Sequence, residues 1–273
     1  MPLEFPYNFH THSVYCDGHA TLPEMAKAAY DMGFKGLGFT GHIYDRRAAR
    51  WSMTEDGCVK YREEIAKLKK EYEGRMTILA GAEADLWTTD DLSPYDFVIG
   101  SVHCFYLGGR FIMTDQKVQD LTDTANEFFG GDIYGLLKHF YELEAKVAEM
   151  QRVDMIGHLD YVSKFNQMTP LFDENDRRYI EAWQGALDAL MPLDVPFEIN
   201  TSPFYRKRMD RFYPSRPIIE EIFRRGGRIS ITGDCHGTDN LYQGFPKAIA
   251  LAKDIGFKKA SIFTEKGEEE VGL

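Results

Sequence analysis

Histidines and carboxylates recur in this chain at the ends of short apolar runs, a placement suited to a cluster of divalent metal ions. His10 and His12 close NFHTH, His42 closes GLGFTGH, and Glu83 closes TILAGAE. His103 ends FVIGSVH, His158 ends DMIGH, and Asp234 with His236 ends ISITGDCH. Neutral imidazole and carboxylate are the usual ligands of zinc, iron and manganese. In HxH both rings leave a strand end from nearly one point and can reach one ion; DxH can send its two ligands to neighbouring ions. A glutamate carboxylate can bridge two metals a few ångströms apart, which makes Glu83 the expected bridge. Asp17 and His19 follow in CDGH, and Asp17 is the favoured contact to a third metal.

A lone histidine is more often hydrogen-bonded structure than a ligand, and that reading applies to His139 in LLKHFYE. Cys104 and Cys235 adjoin the candidates but read better as small buried neighbours. Tyr15, Trp51 and Trp87 read as packing residues, with both tryptophans near the mouth of the site.

For such residues to meet, their runs must be parallel strands whose carboxyl ends share one face, where β/α barrels place their active sites. Strands are expected near 5–10, 35–40, 76–83, 97–103, 153–158, 195–200, 228–234 and 259–264. Between the first two, Thr21 and Glu24 form a capping box and Gly33 is placed to end the helix. Tyr61, Ile65, Leu68 and Tyr72 have helical spacing within 58–73. Further helices are expected near 133–151, 173–191, 215–225 and 246–255, whereas 104–132 reads as a long loop with helical content. This alternation predicts an α/β fold with a parallel sheet and helices packed around it. No linker divides the chain, so residues 1–273 are expected to form one domain.

Composition narrows the function classes. The formal net charge is −11 and the pI is near 5.2, which argues against a nucleic-acid polymer as partner. A small anionic substrate is still admissible, because metals supply local positive charge. The four cysteines have no CxxC spacing, the amino terminus shows no basic-then-apolar leader, and no apolar run reaches 18 residues. A cytoplasmic protein without a membrane partner is expected; homo-oligomer formation is compatible with the sequence.

Taken together, HTHSVYCDGHATLPE, FTGH, GAEAD, GSVH, IGHLDYVSKF, FEINTS and GDCHGTDNL resemble the PHP (polymerase and histidinol phosphatase) superfamily, in its order, from residue 8 to about 241. GSVH, GHLDYVSKF and EINTS resemble its histidinol-phosphate phosphatase branch. The resemblance implies a distorted (β/α)7 TIM-like barrel with a trinuclear site. It assigns His10, His12, Glu83 and Asp234 to one metal, Glu83, His103 and His158 to a second, and Asp17, His42 and His236 to a third. Two or three divalent ions (zinc, iron or manganese) are therefore expected. ITGDCHG departs from many relatives around the aspartate but keeps both DxH ligands.

The implied activity is hydrolysis of a small phosphate monoester, with L-histidinol phosphate as the leading substrate in histidine biosynthesis. The alternative is another small phosphorylated compound, such as a sugar phosphate or nucleotide. Water activated by the metals attacks phosphorus in line, and Asp234, His236, Glu83 and His19 form the expected catalytic set. Arg206 and Arg208 follow the sixth strand end closely enough to hold phosphate, Arg206 being the first choice; Lys207 reads as solvated. A metal-bound water, Asp45 or His19 could protonate the leaving group, and Asp45 or Asp85 could meet the substrate's cationic end. An amidohydrolase would more typically bridge its metals with a modified lysine, and no lysine stands at a suitable strand end.

Overall fold

The computed structural model describes residues 2–45, 51–206 and 210–273. In chain order the elements are β1 (Tyr7–Asn8), α1 (Leu22–Met32), β2 (Gly36–Phe39), α2 (Glu55–Glu71), β3 (Thr77–Ala80), β4 (Ala82–Asp85) and β5 (Val98–Ser101). They continue with β6 (Cys104–Leu107), β7 (Arg110–Met113), α3 (Val118–Phe129), α4 (Ile133–Lys146), β8 (Met155–Ile156), α5 (Arg177–Leu190) and β9 (Phe197–Asn200). Last come α6 (Ser202–Tyr205), α7 (Arg216–Arg224), β10 (Ile229–Thr232), α8 (Phe245–Ile255), β11 (Lys259–Thr264) and β12 (Gly267–Gly272).

The sheet closes on itself. One run pairs β1, β2 and β3, and another pairs β4, β5, β8, β9 and β10; every pairing within these runs is parallel. β3 and β4 are two halves of one stave interrupted at Gly81. A Cβ there would stand 2.6 Å from the Phe97 ring and 2.8 Å from Thr40 Cγ2, so only glycine lets the chain pass. The remaining seam is made by the ends of β1 and β10. Thr11 bridges Cys235 in parallel fashion, His12 N donates to Cys235 O at 2.7 Å, and Cys235 N donates to His10 O at 3.2 Å. Seven staves thus form the distorted barrel that the motifs implied.

Local signals place the helices. At the start of α1 the Thr21 side chain accepts from Glu24 N and the Glu24 carboxylate accepts from Thr21 N, while Gly33 ends the helix at φ 90°. The buried positions of α2, namely Cys58, Tyr61, Ile65 and Leu68, form one stripe. β11 departs from the simple alternation: it pairs antiparallel with β12 and stands outside the seven staves. Its Phe263 stacks on Phe97 at 4.5 Å, and Phe9 meets both rings edge-on. Residues 104–132 also differ from the expected long loop, since β6 and β7 form an antiparallel hairpin and α3 follows. The hairpin turns at Gly108 and Gly109, with φ of 55° and 75°, the backbone that a two-residue turn between antiparallel strands demands.

Phe97 is 1% exposed and packs between Gly38 and Gly81. Phe97→Ala is expected to cost about 3–5 kcal/mol in urea unfolding, because flanking glycines cannot fill the void. A cost under about 1 kcal/mol would mean that the ring is not packed as described.

Candidate metal centre

The carboxyl ends of the staves bring their polar residues to one rim, and Glu83 stands at its middle. Its Oε2 lies 3.0 Å from His42 Nδ1, 3.3 Å from His10 Nε2 and 3.5 Å from His12 Nε2. Its Oε1 lies 2.9 Å from His158 Nε2 and 3.2 Å from His103 Nε2, and accepts from Ser101 Oγ at 3.1 Å. Five imidazoles from four stretches of chain therefore face one carboxylate that is 2% exposed.

Two further carboxylates extend the cluster. Asp234 Oδ1 is 3.3 Å from His12 Nε2, 3.6 Å from His236 Nδ1 and 3.9 Å from His10 Nε2. Asp234 holds a left-handed backbone with φ 48°, a conformation costly for a residue with a Cβ. Asp17 Oδ2 is 3.2 Å from His236 Nε2, and its Oδ1 is 3.4 Å from His12 Nδ1 and 3.9 Å from His42 Nε2.

Donor atoms within metal-chelating reach fall into three groups: His12, Asp17, His42 and His236; His10, His12 and Asp234; and His42, Glu83 and His103. The sets implied by the family resemblance overlap these, with His12 and His42 each turned toward two of the groups. Among the described residues the carboxylate that the His158 ring approaches is Glu83. The nine residues expected as ligands, His10, His12, Asp17, His42, Glu83, His103, His158, Asp234 and His236, all lie in this one neighbourhood.

The protein has no internal use for several of these atoms. His10 Nε2 and His12 Nε2 are buried without a hydrogen-bond partner, as is Asp17 Oδ1. Buried polar atoms are nearly always satisfied, and imidazole nitrogens grouped with carboxylates are the donor set that divalent transition ions take. The residues present fit such ions.

The charges are strongly coupled. Burial opposes ionisation of Glu83, but His42, His10 and His103 outweigh it and hold the carboxyl well below its usual range. Asp234 behaves alike: burial opposes its charge, and Arg206 followed by His10 and His12 restores it. For His10, burial disfavours the cation, yet Glu198, Glu83 and Asp234 carry it up to about 10. Burial and the neighbouring His12 press His236 down to about 4.

A cavity opens above the cluster. Besides the candidate ligands, its walls include Trp51, Met113, Asp115, Gln116, Tyr161 and Arg206. Arg206 Nη2 stands 3.6 Å from Asp234 Oδ1, and its Nε donates to Tyr205 Oη at 3.1 Å. Arg208 and Lys207 lie outside the described residues. His19 is exposed and borders a separate cleft on the far side of His236. Asp45 is buried and exchanges backbone hydrogen bonds with Ser52 Oγ at 3.3–3.4 Å, and neither it nor His19 lines the cavity. Asp85 is engaged by the backbone, accepting from His103 N at 2.8 Å and Trp87 N at 3.0 Å. His139 is remote from the cluster, stacked near Phe105 with ring centroids 6.0 Å apart. Trp51 does reach the mouth, its ring 4.6 Å from that of His42.

Several residues went unassigned by sequence reasoning. Asp115 and Gln116 occupy the stretch read as irregular, so no strand end pointed to them. Glu198 and Asn200 were visible at the end of the sixth parallel run, but nothing in their types separates a ligand from a residue that supports one.

The PHP domain family model matches residues 8–202. A Deinococcus radiodurans protein named "probable histidinol-phosphatase" is 30% identical over 262 residues, covering 90% of this chain and 92% of that protein. A solved HisK chain from Listeria monocytogenes superposes with a TM-score of 0.77 at 20% identity, over 88% of this chain and 99% of its own. The histidinol phosphate phosphatase of Lactococcus lactis, solved with zinc, L-histidinol and phosphate, superposes with a TM-score of 0.71. It is 23% identical and covers 96% of this chain and 98% of its own.

Proposed function

The chain belongs to the PHP domain family, and from that premise we propose that it hydrolyses L-histidinol phosphate to L-histidinol and inorganic phosphate. The chain is a metal-dependent phosphatase acting on a small phosphorylated substrate, with two or three zinc, iron or manganese ions as its cofactors. One observation carries the reading above others: Arg206 and the donors gathered around Glu83 line the same cavity.

His10, His12 and Asp234 would hold one ion, His42, Glu83 and His103 a second with His158 beside Glu83, and His12, Asp17, His42 and His236 a third. Bound divalent ions supply Lewis acidity, which acidifies water and offsets charge on phosphoryl oxygens. The protein's own task is to orient and to exclude. Arg206 presents a guanidinium to the phosphoryl group, and its fork matches two phosphate oxygens. Tyr205 Oη accepts from Arg206 Nε and donates to Asp234 O at 2.6 Å, which fixes the direction of the guanidinium. His19 and Asp45 lie off the cavity, and we assign water as the proton source for the departing alkoxide.

Asp115 supplies the carboxylate at the mouth that a cationic amine would seek. It accepts from Lys164 Nζ at 2.8 Å and Tyr161 Oη at 3.2 Å, an arrangement that keeps it charged; the ammonium of Lys164 outweighs the burial that opposes its ionisation. Among the described residues no helix is long and apolar enough to cross a membrane. With a net charge of −11, the reading is of a cytoplasmic enzyme that does not act on nucleic-acid polymers.

A turnover panel tests the substrate. With metal-loaded protein, histidinol phosphate should exceed sugar phosphates, nucleotides and phosphotyrosine by more than tenfold in kcat/KM; a smaller margin defeats the assignment and favours another small phosphomonoester. Arg206→Ala should raise KM for histidinol phosphate by roughly tenfold or more, the worth of a charge-assisted hydrogen bond of about 1.5–3 kcal/mol. An unchanged KM would remove Arg206 from the site.

A further inference from the structure

Behind the candidate ligands stands a carboxylate that touches neither the cavity nor the other acids. Glu198, in the middle of β9, is 1% exposed and is absent from the cavity wall. A buried carboxylate is costly unless every lone pair is used, and here four donors converge on it. Its Oε1 takes His10 Nδ1 at 2.5 Å and Thr232 Oγ1 at 2.5 Å. Its Oε2 takes the backbone N of His158 at 2.7 Å and Asn200 Nδ2 at 3.2 Å.

Three of the expected ligands are reached through this one group. A carboxylate with no proton of its own can only accept, so Nδ1 of His10 must carry a proton. That leaves Nε2, the buried atom without a partner, aimed toward Glu83 and Asp234 as the nitrogen whose lone pair a cation would take. The bond from His158 N fixes the main chain from which the His158 ring projects toward Glu83. Asn200 carries the connection to Asp234: its Nδ2 stands 3.2 Å from Glu198 and 3.3 Å from Asp234 Oδ2. The amide cannot turn over, because its Oδ1 accepts from Ser202 N at 2.9 Å.

We propose that Glu198 is the positioning residue of the metal centre, setting the tautomer and aim of His10 and the placement of His158 and Asp234 without touching metal or substrate. The inference rests on the metal-centre reading above. A carboxylate behind a ligating imidazole also makes the nitrogen facing the metal a better donor, so the loss of Glu198 weakens binding as well as alignment. Glutamine is a poor substitute. One of its two terminal atoms is an NH2, which must face donors at either end, either His10 with Thr232 or His158 N with Asn200.

The test uses the full-length protein loaded with zinc. Long-range proton–nitrogen spectra of the histidine-labelled, zinc-loaded wild-type protein should show His10 protonated at Nδ1 and bare of a proton at Nε2. Competition against a chromophoric chelator should show zinc bound roughly 10- to 100-fold more weakly by Glu198→Gln, and more weakly still by Glu198→Ala. A zinc-loaded His10 whose proton sits on Nε2 instead of Nδ1 overturns the proposal, and this measurement needs no variant to fold. So does zinc affinity within twofold of wild type in a folded Glu198→Gln protein. Failure of the wild type itself to bind zinc would instead remove the metal-centre reading, so the two failures are distinguishable.

Discussion

Glu83→Gln should lower kcat/KM for histidinol phosphate by roughly four orders of magnitude, equivalent to about 5.5 kcal/mol of lost transition-state stabilisation. The reason is geometric and electrostatic at once. Both Glu83 oxygens face imidazole nitrogens at 2.9–3.5 Å, and among the described residues no other carboxylate reaches both His42 and His158. Glutamine keeps the size of the side chain but removes a negative charge and turns an NH2 toward imidazoles whose lone pairs are needed for cations. Elemental analysis should find at least one ion fewer per chain, while the circular dichroism spectrum stays that of the folded protein. His10→Ala and Asp234→Asn should abolish turnover in the same way with the fold largely intact. Wild-type turnover by Glu83→Gln would show that the central carboxylate holds no metal.

Chelation is expected to produce the other large effect, complete loss of turnover that is recovered on adding back zinc, manganese or iron. Stability should fall with it. An ion that binds only the folded chain and is present at a thousandfold excess over its Kd contributes about 4 kcal/mol. For a chain of this length that corresponds to roughly 10 °C in Tm. Acid should act like a chelator, because an imidazole nitrogen binds either a proton or a cation and not both. His10 shows the direction: burial opposes its charge, but the carboxylates around it, Glu198 first and then Glu83 and Asp234, raise its proton affinity, to about 10. Metal affinity should therefore fall as the pH falls, as a chelator-competition series across pH can measure. A Tm indifferent to chelator would contradict the proposed coupling of metal to fold.

How much of this could be read from the residues depends on where each one sits. The candidate ligands were legible because strand ends concentrate them: NFHTH and GDCH each place two donors at one stave end, and a parallel barrel sends all such ends to one face. The capping box at Thr21 was equally plain, since its two hydrogen bonds are local. The β6–β7 hairpin was not, because its Gly108–Gly109 turn joins strands of four residues each whose apolar runs show no clear alternation. β11 looked like another stave, for a buried run such as KASIFT reads alike whether it pairs parallel or antiparallel. Glu198 was visible at its strand end, but its function lies in hydrogen bonds to residues 188 positions earlier and 34 later, and no spacing rule carries that information. Asp115 depended on the unread hairpin, which brings it to the cavity.

Anomalous diffraction from crystals of protein purified without chelator goes furthest toward deciding the matter. With data collected on either side of the absorption edge of the metal found by elemental analysis, two or three peaks should lie within coordination distance of Glu83, Asp234 and Asp17 and their histidines. A map without peaks there, from protein that turns over histidinol phosphate, would contradict the account.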